Sequence, residues 1–146
     1  MIDYQSVSSR LERLKEYVTY LKSYQKKSLT QIKEDYTLQG AICRYFQLSV
    51  ECVIDIAELL ISSLGLRKPD TGFEAVEILG ENKIIPLRFS KKFAPIVGFR
   101  NIIVHDYLKI DLNKVYQHLK EDLKDFNLFA KLISNFLESR DKTSKN

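Results

Sequence analysis

The chain has 146 residues, 45% of them hydrophobic and 29% charged, the balance of an ordinary soluble protein with room for one domain and one real core. The net charge of +4 permits a polyanionic partner without demanding one, since lysines scattered over helix faces give the same count. The most apolar stretch, CVIDIAELLISSLGL, is interrupted by Asp55 and Glu58 and is too short to span a bilayer, which excludes a membrane-spanning reading.

From Ser6 to about Lys27, Val7, Leu11, Leu14, Val18 and Leu21 recur in steps of four and three, one apolar stripe of a helix. Tyr17, Tyr20 and Tyr24 widen that stripe, and KKSLT breaks it. A second helix is expected from about Lys33 to Ser63, apolar on more than one side as a spine packed against several neighbours should be, with Gly65 as its C-cap. Pro69 stops that helix, and Thr71 followed three residues later by Glu74 is the signature of a capped short helix reaching about Leu79. Ser90 is expected to cap the next helix, which carries Pro95 early and Gly98 one turn later, predicting a kink or a late start there, and ends near Lys109. Asp111 caps a long last helix with the stripe Leu112, Val115, Leu119, Leu123, Phe126, Ala130, Ile133 and Leu137. No strand-like alternation competes. The expectation is an all-α bundle of four to five helices, one domain over residues 1–146 with a flexible polar tail from about residue 139.

Cys43 and Cys52 lie nine residues apart on one expected helix, roughly 13 Å at 1.5 Å rise per residue, while a disulfide needs Cα atoms within about 7 Å. They cannot bridge each other. MIDYQSVSSRLERLK at the N-terminus has no apolar signal core. A reduced, cytoplasmic protein follows as the default expectation.

GFRNIIVHDY, residues 98–107, reads differently from the helical stripes around it. On a straight helix Val104 and Tyr107 lie within about 40° of Arg100, while His105 lies about 140° away, above Asn101. The residue types suit phosphate chemistry. Arginine grips a phosphate through two parallel hydrogen bonds, and histidine gives or takes a proton near neutral pH. No Gly-rich phosphate loop, Cys-rich metal site or HExxH pair occurs, so a mechanism without metal or cofactor is the one to consider. The plainer reading is a surface Arg–His pair or a helix-end cap.

At these residues the chain resembles the HepT-like toxins, a branch of the HEPN superfamily: RNIIVHDY fits the family's arginine, four residues, histidine, one residue, tyrosine motif. RYFQLSVECVIDIAELLISSLGL, FEAVEILGENKII and DLNKVYQHL resemble its spine helix, short helix and the start of its final helix, so the likeness runs from about Ile32 to Leu119. The resemblance implies a HEPN-like helical homodimer with the motifs of both protomers facing a shared basic cleft. It also implies a metal-independent endoribonuclease, the toxin of a toxin–antitoxin pair. Its antitoxin partner is a minimal nucleotidyltransferase that adds AMP to the motif tyrosine. Carried over by position, Arg100 binds the scissile phosphate of an RNA substrate, His105 is general acid or base, Asn101 orients them, and Tyr107 is the AMPylation site. Asp106 receives no role. The wheel offset between Arg100 and His105 then has a use, because a two-fold partner can supply the missing group.

Other residues carry weaker signals. Arg88, Lys91 and Lys92, just upstream, could steer RNA in a salt-sensitive way, or be a solvated helix start. Arg44 is a second candidate phosphate contact or an ion-pair member. Glu51, Asp55 and Glu58 are spaced as a carboxylate cluster, with ion pairing to nearby bases, Arg100 included, the favoured reading. His118 reads as structural or exposed, and the helix-one tyrosines as packing rather than base-stacking residues. The alternative function is a non-catalytic helical subunit, substrate-binding or regulatory, of a nucleotidyltransferase, for which Tyr107 alone would suffice.

Overall fold

In a computed structural model of the protein, the described residues are 1–99 and 111–145, side chains excepted for 142–145. They form seven helices: α1 (Tyr4–Ser23), α2 (Leu29–Glu34), α3 (Tyr36–Ser63), α4 (Gly72–Glu81), α5 (Leu87–Gly98), α6 (Leu112–Glu121) and α7 (Leu123–Lys145). No strand occurs among the described residues, and no helix among them is long and apolar enough to cross a membrane. The all-α expectation holds, with more helical segments than anticipated.

The caps explain where the elements begin and end. The Asp3 carboxylate accepts from the backbone N–H of Ser6 at 3.1 Å and starts α1, whose five stripe residues are all buried. Helix α1 stops at Ser23, short of Lys27. The break KKSLT then starts a short helix, because Ser28 and Gln31 form a reciprocal capping box. Asp35 caps α3 by accepting from Leu38 N–H at 3.1 Å, so the spine begins at Tyr36 rather than at Lys33. It ends as expected at Gly65, whose φ of +67° lets Leu66 N–H reach back to Ile61 O at 3.0 Å. Thr71 accepts from Glu74 N–H at 3.0 Å and caps α4, while the Glu74 carboxylate takes Arg67 at 2.6 Å.

Two expectations are corrected. Ser90 does not cap α5. That helix begins at Leu87 behind Pro86 with no side-chain cap, since proline already holds a helix-compatible φ and has no N–H to satisfy. Ser90 lies inside the helix, buried, its hydroxyl donating to Leu87 O at 2.7 Å. The long last helix is divided at Asp122, the C-cap of α6, whose φ of −107° and ψ of −4° depart from the ideal helical pair. Beyond that elbow α7 stays helical to Lys145, through the stretch expected as a polar tail.

Packing follows from the stripes. Helices α1 and α3 run antiparallel, as Arg10 beside Asp55 and Tyr24 beside Tyr45 require. Along their seam Tyr45 gathers Tyr17, Tyr20 and Tyr24, with ring centroids 6.3, 5.0 and 6.5 Å away. Helices α4 and α5 form an antiparallel hairpin, so close at Gly80 that an added Cβ would stand 2.0 Å from Ser90 Oγ and 2.5 Å from Ser90 Cβ. Helix α5 meets α7 through Phe93, fully buried between Phe89, Phe126 and Phe129 at 5.1–5.3 Å. Helix α7 also lies along α1, where Tyr4, Ser8 and Leu11 face Ser134 and Leu137 across a shallow groove.

Two glycine substitutions test this packing in opposite senses. Gly80→Ala should lose about 1–3 kcal/mol of unfolding free energy through overpacking against Ser90. Gly40→Ala, in α3 with nothing within 4 Å of the new Cβ, should gain about 0.5–1 kcal/mol by helix propensity. Urea denaturation of both variants checks the pair, and an unchanged midpoint for Gly80→Ala contradicts the close α4–α5 approach.

Candidate active site

The motif residues Arg100, Asn101, His105 and Tyr107 lie outside the described residues, and so does any ion pair of Arg100 with the α3 carboxylates. The structure describes the frame that delivers the motif. Helix α5 leads straight to it. Pro95 is within α5, and Phe99 N–H donates to Pro95 O and Ile96 O at 3.2 Å each, so the chain is still helical one residue before Arg100. Phe99 is buried. On one side of this exit Gly98 meets Phe73, whose ring carbon would lie 3.5 Å from a Cβ at that position. On another, the His118 ring of α6 packs on Phe99 with centroids 4.3 Å apart.

From the sequence, His118 reads as structural or exposed. It is half-buried, with Nδ1 2.5 Å from the Asp122 carboxylate at the α6–α7 elbow. Its four-residue spacing to Asp122 was readable, but its contact with the residue before the motif was not, since nothing local links positions 99 and 118.

Arg88, Lys91 and Lys92 sit three and four residues apart on α5 and share a face. Arg88 and Lys91 are exposed. Lys92 is committed elsewhere: its ammonium lies 3.3 Å from Asp125, a carboxylate only 4% exposed in the first turn of α7. The other Asp125 oxygen has no hydrogen-bond partner among the described residues. Breaking such a pair strands a buried charge, so Lys92 holds α5 to α7 whatever else it touches. Arg44 is exposed on α3 and makes no ion pair among the described residues, so it is not a member of a buried pair there.

Of the α3 carboxylates, Glu51 and Asp55 share one groove and Glu58 lies by another. Asp55 faces Arg10 at 3.9 Å, the aspartate exposed and the arginine half-buried, a long contact open to water and worth little. It lines a groove of about 220 Å³ with Arg13, Tyr17, Glu51 and Cys52. Glu58 lies by another groove, beside Ser62 and Lys68. Among the described residues no group of three or more His, Cys, Asp or Glu side chains is placed to hold a metal ion.

Comparison with known proteins gives a consistent picture. A family model described as HepT-like, Ribonuclease HepT-like, matches residues 10–133. The chain is 32% identical over 131 residues to a tRNA nuclease HepT of Aphanizomenon flos-aquae, covering 90% of this chain and 89% of that one. It is 33% identical over 104 residues to an mRNA nuclease HepT of Shewanella oneidensis, covering 71% and 78%. The structure is similar to that of a tri-AMPylated Shewanella oneidensis HEPN toxin in complex with an MNT antitoxin, with a TM-score of 0.81, 27% identity, and 92% and 99% of the two chains covered.

Neither cysteine offers a ready nucleophile. Both are free, burial raises the Cys43 thiol, and burial together with the Asp55 carboxylate pushes Cys52 up to about 11. A thiol that keeps its proton in the folded state and releases it when unfolded lowers stability as pH rises from 9.0 towards about 11. In that window iodoacetamide should alkylate native Cys52 far more slowly than the denatured chain. Equal rates contradict the burial.

Proposed function

The chain belongs to the HepT-like ribonuclease family, and on that premise we propose that it is a metal-independent endoribonuclease, the toxin of a pair whose antitoxin is a minimal nucleotidyltransferase. The observation that carries the reading is the family match over residues 10–133 together with Arg100, His105 and Tyr107, all three of which stand in the motif. In this reading Arg100 holds the scissile phosphate by a bidentate hydrogen bond and offsets the charge that builds on it. His105 takes the proton of the RNA 2′-hydroxyl, whose oxygen attacks phosphorus. The 5′-oxygen departs and receives a proton, leaving a cyclic phosphate. Asn101 orients the pair.

One helix sets Arg100 and His105 about 140° apart if it runs straight, so two protomers facing each other across a two-fold axis bring the groups together. A homodimer is therefore part of the proposal. Arg88, Lys91 and Arg44 add positive charge that can draw RNA towards the cleft. The transferase silences the toxin by placing AMP on Tyr107.

Purified protein in EDTA should cleave RNA, and His105→Ala or Arg100→Ala should lower turnover by about 10²–10⁴-fold. Turnover of His105→Ala equal to that of the unmodified protein removes the histidine mechanism and favours a non-catalytic subunit. Co-expression with a cognate transferase should add adenylate to the chain, seen by intact mass. Tyr107→Phe should abolish that gain while leaving RNA cleavage in place, and adenylate on the Tyr107→Phe protein overturns the assignment of the acceptor.

A further inference from the structure

His118 and Asp122 belong to no motif, yet the His118 ring, held by Asp122, stands against the residue that precedes Arg100. The contact is built from several directions. Nδ1 of His118 meets Asp122 Oδ2 at 2.5 Å. The Asp122 backbone N–H donates to His118 O at 2.9 Å, so the same two residues are tied twice across the elbow between α6 and α7. The two side chains are only 20% and 19% exposed. Held in this way, the imidazole packs on Phe99 with centroids 4.3 Å apart and ring planes 47° apart, and Phe99 itself is 6% exposed.

Seven residues back on the same face of α5, Lys92 is fastened to Asp125 on the far side of that elbow. Two attachments about 10 Å apart along a helix, at 1.5 Å per residue, fix its direction as well as its position. On the other flank Gly98 rests against Phe73. An apolar side chain at position 118 would fill the same space. It would not fix the orientation of the contacting ring, which the hydrogen bond to a carboxylate does.

From this we infer that His118, oriented by Asp122, is a positioning residue for the motif: its ring braces Phe99 and thereby sets where Arg100 begins. Adjacent Cα atoms are held about 3.8 Å apart across a trans peptide, so the placement of Phe99 bounds where the motif can start. Misplacement of a reacting group by about 1 Å is enough to cost about 10²-fold in rate. The kinetic part of the inference rests on the nuclease reading above, and the structural part does not.

The test compares His118→Leu, which keeps the packing and loses the hydrogen bond, with His118→Asn, which keeps a donor for Asp122. It adds Asp122→Asn and the His118→Leu/Asp122→Asn double variant. Hydrogen exchange by mass spectrometry is read on the peptide spanning residues 98–110 and on peptides from α1 and α3. In His118→Leu the motif peptide should exchange several-fold faster while α1 and α3 are unchanged. RNA turnover should fall about 10-fold in kcat with KM nearly unchanged, His118→Asn should restore most of it, and the double variant should be no worse than either single one. If His118→Leu matches the unmodified protein in exchange and in kcat, the imidazole is only packing and the inference fails. Should the unmodified protein cleave no more RNA than His105→Ala, the nuclease reading fails instead. The exchange of residues 98–110 then decides the inference alone, unchanged exchange overturning it.

Discussion

The packing of Phe93 between α5 and α7 is the constraint on which the rest of the arrangement depends. Its ring lies stacked on Phe89 and Phe129 and edge-on to Phe126, and it is wholly excluded from water. Burying one such ring is worth about 1.5–3 kcal/mol, and each well-placed aromatic pair adds about 0.5–1.5 kcal/mol. These contacts join the helix that delivers the motif to the longest stretch of the C-terminal half. Helix α4 is drawn in with it, since Gly80 brings the two backbones of the hairpin together at Ser90. The spine α3 and helix α1 then close the other side of the core, and the polar ties at Asp125 and Asp122 act on an α5 already seated by apolar contact.

Much of this was legible in the residues themselves. The five-residue stripe of α1, the glycine ending α3 and the threonine starting α4 are local signals, and each carries its own mechanism: periodic burial, a left-handed φ, a hydroxyl facing an unpaired N–H. Ser28 and Gln31 carried an equally local signature that a reading for longer stripes passes over. Ser90 shows the opposite error. A serine ahead of a helical pattern reads as a cap, but Pro86 had already started the helix and Ser90 was needed where α4 comes closest. The break at Asp122 leaves the apolar stripe intact, because Leu119, Leu123 and Phe126 remain buried on both sides of it. Periodicity therefore has no way to reveal it.

The candidate site divides along the same line. Arg100, His105 and Tyr107 are found through a spacing within eight residues. Their chemistry is ambiguous without the family to which the chain belongs, because an arginine near a histidine occurs on many helix surfaces. The frame around them is non-local. Lys92 meets Asp125 across 33 positions, and no pattern in either helix announces that a surface lysine of a basic triplet ends beside a buried carboxylate. Positive charge counted from sequence as available for RNA is in part spent on holding the fold together.

The tyrosine seam between α1 and α3 has an experimental consequence. The chain contains eight tyrosines and no tryptophan, so its near-ultraviolet absorbance and intrinsic emission come chiefly from phenol rings. Tyr17, Tyr20 and Tyr24 each meet the Tyr45 ring at that seam, remote in sequence from the segment that carries the chemistry. The protein thus contains a built-in optical gauge weighted towards the parting of its first and third helices, and an added indole at another place would be needed to watch the rest.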